Sequence, residues 1–148
     1  MFLSANNFFW RVERAGGRIV RAGLWRELGR PEARLIGVQY LAGDDGKRQA
    51  GFVAVAEPPA WAGLVPGERF GTYGIEIDAR TPDSPAGTQV LATIPDVFGP
   101  GRSAEMTYYE TEAGAKVFAA GALNFGGSAE RPAVRRLLES LWARTSVL

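Results

Sequence analysis

The sequence predicts a single strand-rich α/β domain over residues 1–148, with one C-terminal helix packed on its sheet. Three observations carry this expectation. Short runs rich in β-branched and aromatic residues alternate apolar with polar positions, as in Tyr73-Gly74-Ile75-Glu76-Ile77-Asp78. Glycine and proline signals punctuate the chain between these runs. Only the C-terminus has clear helical spacing: Val134, Leu137, Leu138 and Leu141 fall at i, i+3, i+4 and i+7, with Trp142 extending the stripe. A chain of 148 residues fits one domain and needs no disulfide or metal to hold its core.

Element by element, Phe2–Ser4 reads as the tail of a strand, followed by an Ala5-Asn6-Asn7 turn and then Phe8-Phe9-Trp10. Gly16-Gly17 is a hairpin turn signal, and residues 17–21 after it form a strand. A short, weaker helix is expected near Leu24. Residues 34–42 and 51–56 are strands, with a turn at Gly43-Asp44-Asp45-Gly46 between them. Residues 58–69, with three prolines and two glycines, suit an irregular connection. Residues 73–78 are a half-buried strand and residues 81–87 a loop. Residues 89–94, 105–111 and 115–120 are further strands, the last two joined by Glu112-Ala113-Gly114 as a hairpin. Residues 124–128 form a glycine-containing break, and Pro132 suits the first turn of the final helix.

The chain contains neither histidine nor cysteine. That excludes disulfides, thiolate nucleophiles, iron–sulfur clusters, Ser-His-Asp triads and histidine-based zinc sites. A metal here would be held by carboxylates, tyrosinates, carbonyls or water, a donor set that favours hard ions. The net charge is +1, so no global field argues for nucleic acid. Seven arginines at 11, 14, 18, 21, 26, 30 and 34 cluster beside Glu13, Glu27 and Glu32, and read as a solvated, salt-bridged face. No apolar run approaches the ~20 residues of a membrane span, and Met1-Phe2-Leu3-Ser4 lacks the basic region of a signal peptide. The expected address is cytoplasmic, away from membrane and nucleic acid.

Glu76 and Asp78 alternate with Ile75 and Ile77, which puts both carboxylates on one face of a strand. Such a pair can bind a cation or supply a general base, and it can equally be the wet side of an amphipathic strand. Tyr108 and Glu110 share a face while Tyr109 points to the other. Gly121–Gly127 matches no phosphate-binding loop.

Taken in order, several segments carry a resemblance. Phe2-Leu3-Ser4-Ala5-Asn6-Asn7-Phe8-Phe9-Trp10-Arg11-Val12 comes first, then Leu24-Trp25-Arg26, Gly29-Arg30-Pro31 and Leu35-Ile36-Gly37-Val38. Tyr73-Gly74-Ile75-Glu76-Ile77-Asp78, Glu105-Met106-Thr107-Tyr108-Tyr109-Glu110-Thr111 and Gly114–Gly121 follow. The series resembles the N,N-dimethylformamidase large-subunit family over nearly the whole chain. The resemblance implies a three-layer, glutamine-amidotransferase-like (flavodoxin-like) α/β fold, of which this chain is the C-terminal portion without the first half. It also implies amide hydrolysis at an iron site held by two tyrosinates and one glutamate. Glu76 takes the carboxylate position, as metal ligand or base. Asp78 and Tyr108 stand in support, and Asn6, Asn7 and Tyr73 are candidate ligand-binding residues. The segment around Asn6-Asn7 departs from the family's tyrosines, carrying Phe2, Phe8 and Phe9.

Two functions follow from this resemblance. The first is a non-catalytic or incomplete module used for assembly or small-molecule binding. The alternative is a metal-dependent hydrolase of small amides. The expected partners are a second copy, joined through Phe2–Trp10 with Phe8, Phe9 and Trp10 as anchors, and a companion chain that supplies the missing half.

Overall fold

The computed structural model describes residues 1–44, 50–72, 74 and 76–146. The chain enters through an antiparallel hairpin of β1 (Trp10–Ala15) and β2 (Arg18–Leu24). Gly16 and Gly17 turn it with φ of 55° and 77°, the two left-handed residues that a tight two-residue hairpin loop needs. Where a weak helix was expected, a single 3-10 turn spans Arg26–Leu28.

The expected strand over residues 34–42 divides in two. Ala33–Ile36 is one turn of helix (α1), and β3 begins only at Gln39 (Gln39–Gly43). Gly37 makes the break: its φ of 85° ends the helical turn, and its bare Cα packs against Thr107, Thr88 and Tyr109. The Gly43–Gly46 turn lies partly outside the described residues. β3 pairs antiparallel with β6 (Glu76–Ala79), setting Tyr40 opposite Asp78 and Gly43 opposite Glu76.

The main sheet is built from β4 (Phe52–Ala54), β5 (Arg69–Phe70), β7 (Gln89–Ile94), β8 (Ala104–Glu110) and β9 (Lys116–Ala119). Its order is β5-β4-β7-β8-β9, and every one of its ladders is antiparallel. The expected strands at 89–94, 105–111 and 115–120 are all present within a residue or so. Beyond β9, the strand expected at Phe2–Ser4 is reduced to one parallel bridge: Phe2 N donates to Phe118 O, and Ala120 N to Phe2 O, each at 2.8 Å.

The apolar segments of β8 make it the centre of the core. Met106 and Tyr108 face the large cluster with Phe52, Phe118 and Phe125, while the Tyr109 hydroxyl on the opposite face donates to Leu35 O at 2.7 Å. On the first face lies α2 (Pro132–Ser146), burying Ala133, Val134, Leu137 and Leu141. Trp142 does not extend this stripe; it is 67% exposed. At about 100° per residue, it lies more than a quarter turn from the centre of the buried arc. Leu138 sits at the arc's margin and is only half-buried. Leu137→Ala is therefore expected to cost roughly 2–5 kcal/mol and Leu138→Ala about half as much, read as urea midpoints. Equal losses would show that the helix is rotated from this packing.

Candidate functional site

The N-terminal turn, β6 and the segment 25–35 converge on one buried carboxyl. Asp78 has no exposed surface. The Asn6 backbone N–H donates to both of its oxygens, at 2.9 and 3.1 Å. To present that N–H, the turn places Asn6 at φ 58° and Phe8 at φ 56°. Asparagine tolerates the left-handed region, whereas phenylalanine adopts it at a cost. Asn7 closes the same turn through Nδ2 to Ser4 O at 2.9 Å.

Burial pushes the Asp78 carboxyl up to about 7; the Asn6 N–H opposes this. The charges of Glu76 and Glu32 push it further up, and Arg26 pulls it down. Asp78 is thus no solvated strand-face residue but a buried group that holds its proton to near neutrality. Glu32 is equally hidden, its side chain 1% exposed. Arg26 reaches it with Nη2 at 2.6 Å and Nε at 3.2 Å from each oxygen. That fork-to-fork pair keeps the buried charge compensated. Arg26 in turn lies over the Phe9 ring at 5.0 Å, and Phe9 packs edge-on against Tyr40 at 5.4 Å. Asn6 Oδ1 and Gln39 Oε1 are buried without a hydrogen-bond partner among the described residues.

Outside this pair opens a cleft of about 470 Å³. Phe8, Trp25, Pro31 and Leu35 line it with Glu32, Arg30 and Arg34. Arg30 stacks on Trp25 at 5.2 Å, and Arg34 is held by Asp83 at 2.7 Å.

The structure therefore brings together Asn6, Glu76 and Asp78 of the expected site residues. It does not bring Tyr108 to them through any hydrogen bond. The Tyr108 hydroxyl donates to Glu110 at 2.6 Å, as their shared face predicts, and accepts from Arg144 Nε at 2.7 Å. Its ring lies 4.5 Å from Trp61 on the α2 side of the sheet. Tyr73 lies outside the described residues. Sequence reasoning missed Glu32, Arg26, Trp25 and the cleft. Their one signal was an arginine and a glutamate six residues apart, Arg26 and Glu32, and nothing in the sequence marks that pair as buried where Arg11–Glu13 is solvated.

A model of the family described as N,N-dimethylformamidase beta subunit-like, C-terminal, matches residues 1–135. The chain belongs to this family. No curated protein matches it. The segments that carried the resemblance all fall within the matched residues, and they supply both the N-terminal turn and β6.

Tyr108 and Tyr109 do not suit the tyrosinate ligands that the family resemblance implies. Burial pushes both the Tyr108 and Tyr109 hydroxyls upward, so each keeps its proton in this fold. Both hydroxyls are already engaged, by Glu110 and Arg144 and by the Leu35 carbonyl. Among the described residues no group of three or more aspartates or glutamates could hold a metal ion. No helix among them is long and apolar enough to cross a membrane.

Proposed function

We propose that this chain is a non-catalytic, small-molecule-binding domain of the N,N-dimethylformamidase beta-subunit-like family. The observation that carries the reading is the cleft itself. It is concave, walled by two aromatic rings, and of a volume that suits a small ligand. Arg30 stands at its edge with its guanidinium on Trp25 and no carboxylate partner among the described residues. Glu32 at its base is neutralised by Arg26 and repels no anion. The chemistry suits a planar ring bearing a carboxylate or phosphate, packed against the aromatic wall with its anion on Arg30, which Trp25 holds in place.

Titration calorimetry with 1-naphthoate and with 1-naphthyl phosphate tests it. Binding of at least one is expected, weakened about tenfold by Trp25→Ala or Arg30→Ala. That loss matches one stacking contact or one charge-assisted bond. Absence of binding to either probe, or variants that bind as the parent does, would overturn the reading.

The alternative hydrolase draws support from Asp78, whose carboxyl near 7 beside Glu76 has the proton affinity of a general acid–base group. Against it, Asp78 is wholly buried beneath the Asn6 amide. Amine release from simple formamides, abolished by Glu76→Gln, would establish it. Self-association through Phe2–Trp10 draws on Phe8 and Trp10, which are 47% and 41% exposed. It would compete with the cleft for Phe8. The amidotransferase-like reading of the fold rests on the family resemblance, and the parallel Phe2–Ala119 bridge is the feature of the structure that agrees with it.

A further inference from the structure

The β1–β2 hairpin stands largely apart from both sheets. Among the named elements it packs chiefly on the 3-10 turn that follows it, and at its base the Trp10 ring meets Phe9 edge-on at 5.2 Å. A two-stranded hairpin without a third layer is marginal in water, and this one shows solvent two kinds of side chain at once. Register puts Val12 opposite Arg21 and Arg14 opposite Ile19, so these four share a face. Val12 is 54% exposed and Ile19 72%. The Arg21 guanidinium covers the Trp10 ring at 4.6 Å. The segment 10–24 carries four arginines against Glu13 alone, a net +3. Arg11 is paired with Glu13, whereas Arg14 and Arg18 have no partner among the described residues.

We propose that this hairpin is a docking arm for an acidic protein partner, a strand or sheet face that alternates carboxylates with aliphatic side chains. Such a partner neutralises the arginines and covers Val12 and Ile19 in one contact. A second copy of this chain fits poorly, since its own hairpin would bring another +3 against the first. A nucleic acid fits poorly as well. Its phosphates would satisfy the arginines and leave two exposed aliphatics interleaved with them, and the one aromatic ring available for stacking is already capped by Arg21.

A fluorescently labelled peptide that alternates glutamate with valine is the probe, titrated with the whole chain in anisotropy at 50 and 300 mM salt. Binding is expected to weaken at least tenfold across that salt range and tenfold with Arg14→Glu. Val12→Ser/Ile19→Ser keeps every charge and is expected to weaken it several-fold, which a purely ionic attachment would not show. Arg135→Glu makes the same charge change on the far helix and is expected to leave it unchanged; circular dichroism confirms that each variant is folded. No binding, or equal weakening by Arg14→Glu and Arg135→Glu, would overturn the proposal. So would insensitivity to the serine pair, or tighter binding of a twenty-base DNA duplex or single strand. A dimer in light scattering that dissociates on Val12→Ser/Ile19→Ser would assign the face to a second copy and equally overturn it.

Discussion

Raising the pH from 5 to 8 is expected to destabilise the folded chain by roughly 3 kcal/mol through Asp78 alone. Its ordinary value is 3.8, and burial raises it to about 7 in the fold. Between those values the folded state keeps a proton that the unfolded state has released. Stability is therefore complete below the unfolded value and falls as the pH climbs through the folded one. Three pH units at about 1.4 kcal/mol each bound the whole effect near 4 kcal/mol. Glu76 and Glu32 add to the cost of ionisation, and Arg26 and the Asn6 N–H reduce it. Urea unfolding at several pH values measures the slope. Asp78→Asn keeps an acceptor for the Asn6 N–H and cannot ionise. It is expected to flatten the profile across this window and to be the more stable protein at pH 8. Parallel profiles for the two would show that the pH dependence arises elsewhere.

Gly121→Ala is expected to cost about 4 kcal/mol or more, a large part of the 5–15 kcal/mol that holds a typical domain together. Gly121 sits at φ 69°, where a side chain alone costs about 1–2 kcal/mol. A Cβ there would also overlap the Glu105 carbonyl oxygen and lie 2.9 Å from its carbon. Neither neighbour is the movable end of a side chain. The same glycine's carbonyl accepts the Asp78 N–H at 2.9 Å, so any shift to relieve the clash disturbs the strand that carries the buried acid. Gly114 is a control with φ 84° and no atom within 4 Å of an added Cβ. Gly114→Ala is expected to cost only about 1–2 kcal/mol, the backbone contribution by itself. If the two variants lose equal stability, the close approach at Gly121 is not as described.

The elements that were legible in the sequence are those whose signal is local. The Gly16-Gly17 turn, the strands at 89–94 and 105–111 and the C-terminal helix each follow from a period or a turn residue within their own span. Where the local signal was incomplete, the reading slipped. Residues 34–42 look like one apolar run, but Gly37 divides them because its φ of 85° ends the helical turn, with Thr107, Thr88 and Tyr109 packed close around it. Trp142 looks like part of the helix stripe, but the arc that the sheet buries is centred on Val134 and Leu137 and leaves it in solvent.

By itself the sequence determined the family, the strand-rich plan, the exclusion of histidine and cysteine chemistry, and the pairing of Glu76 with Asp78 on one strand face. The tertiary structure alone decided that Asp78 is buried and protonated up to near neutrality, and that Glu32, from outside the strand, joins Glu76 in its field. It alone decided that Tyr108 is bound to Glu110 and Arg144 on the α2 side. The physical reason is that spacing along a strand fixes which residues share a face, while burial and proton affinity depend on what covers that face. Here the cover is the Asn6 turn, 72 residues away in the chain.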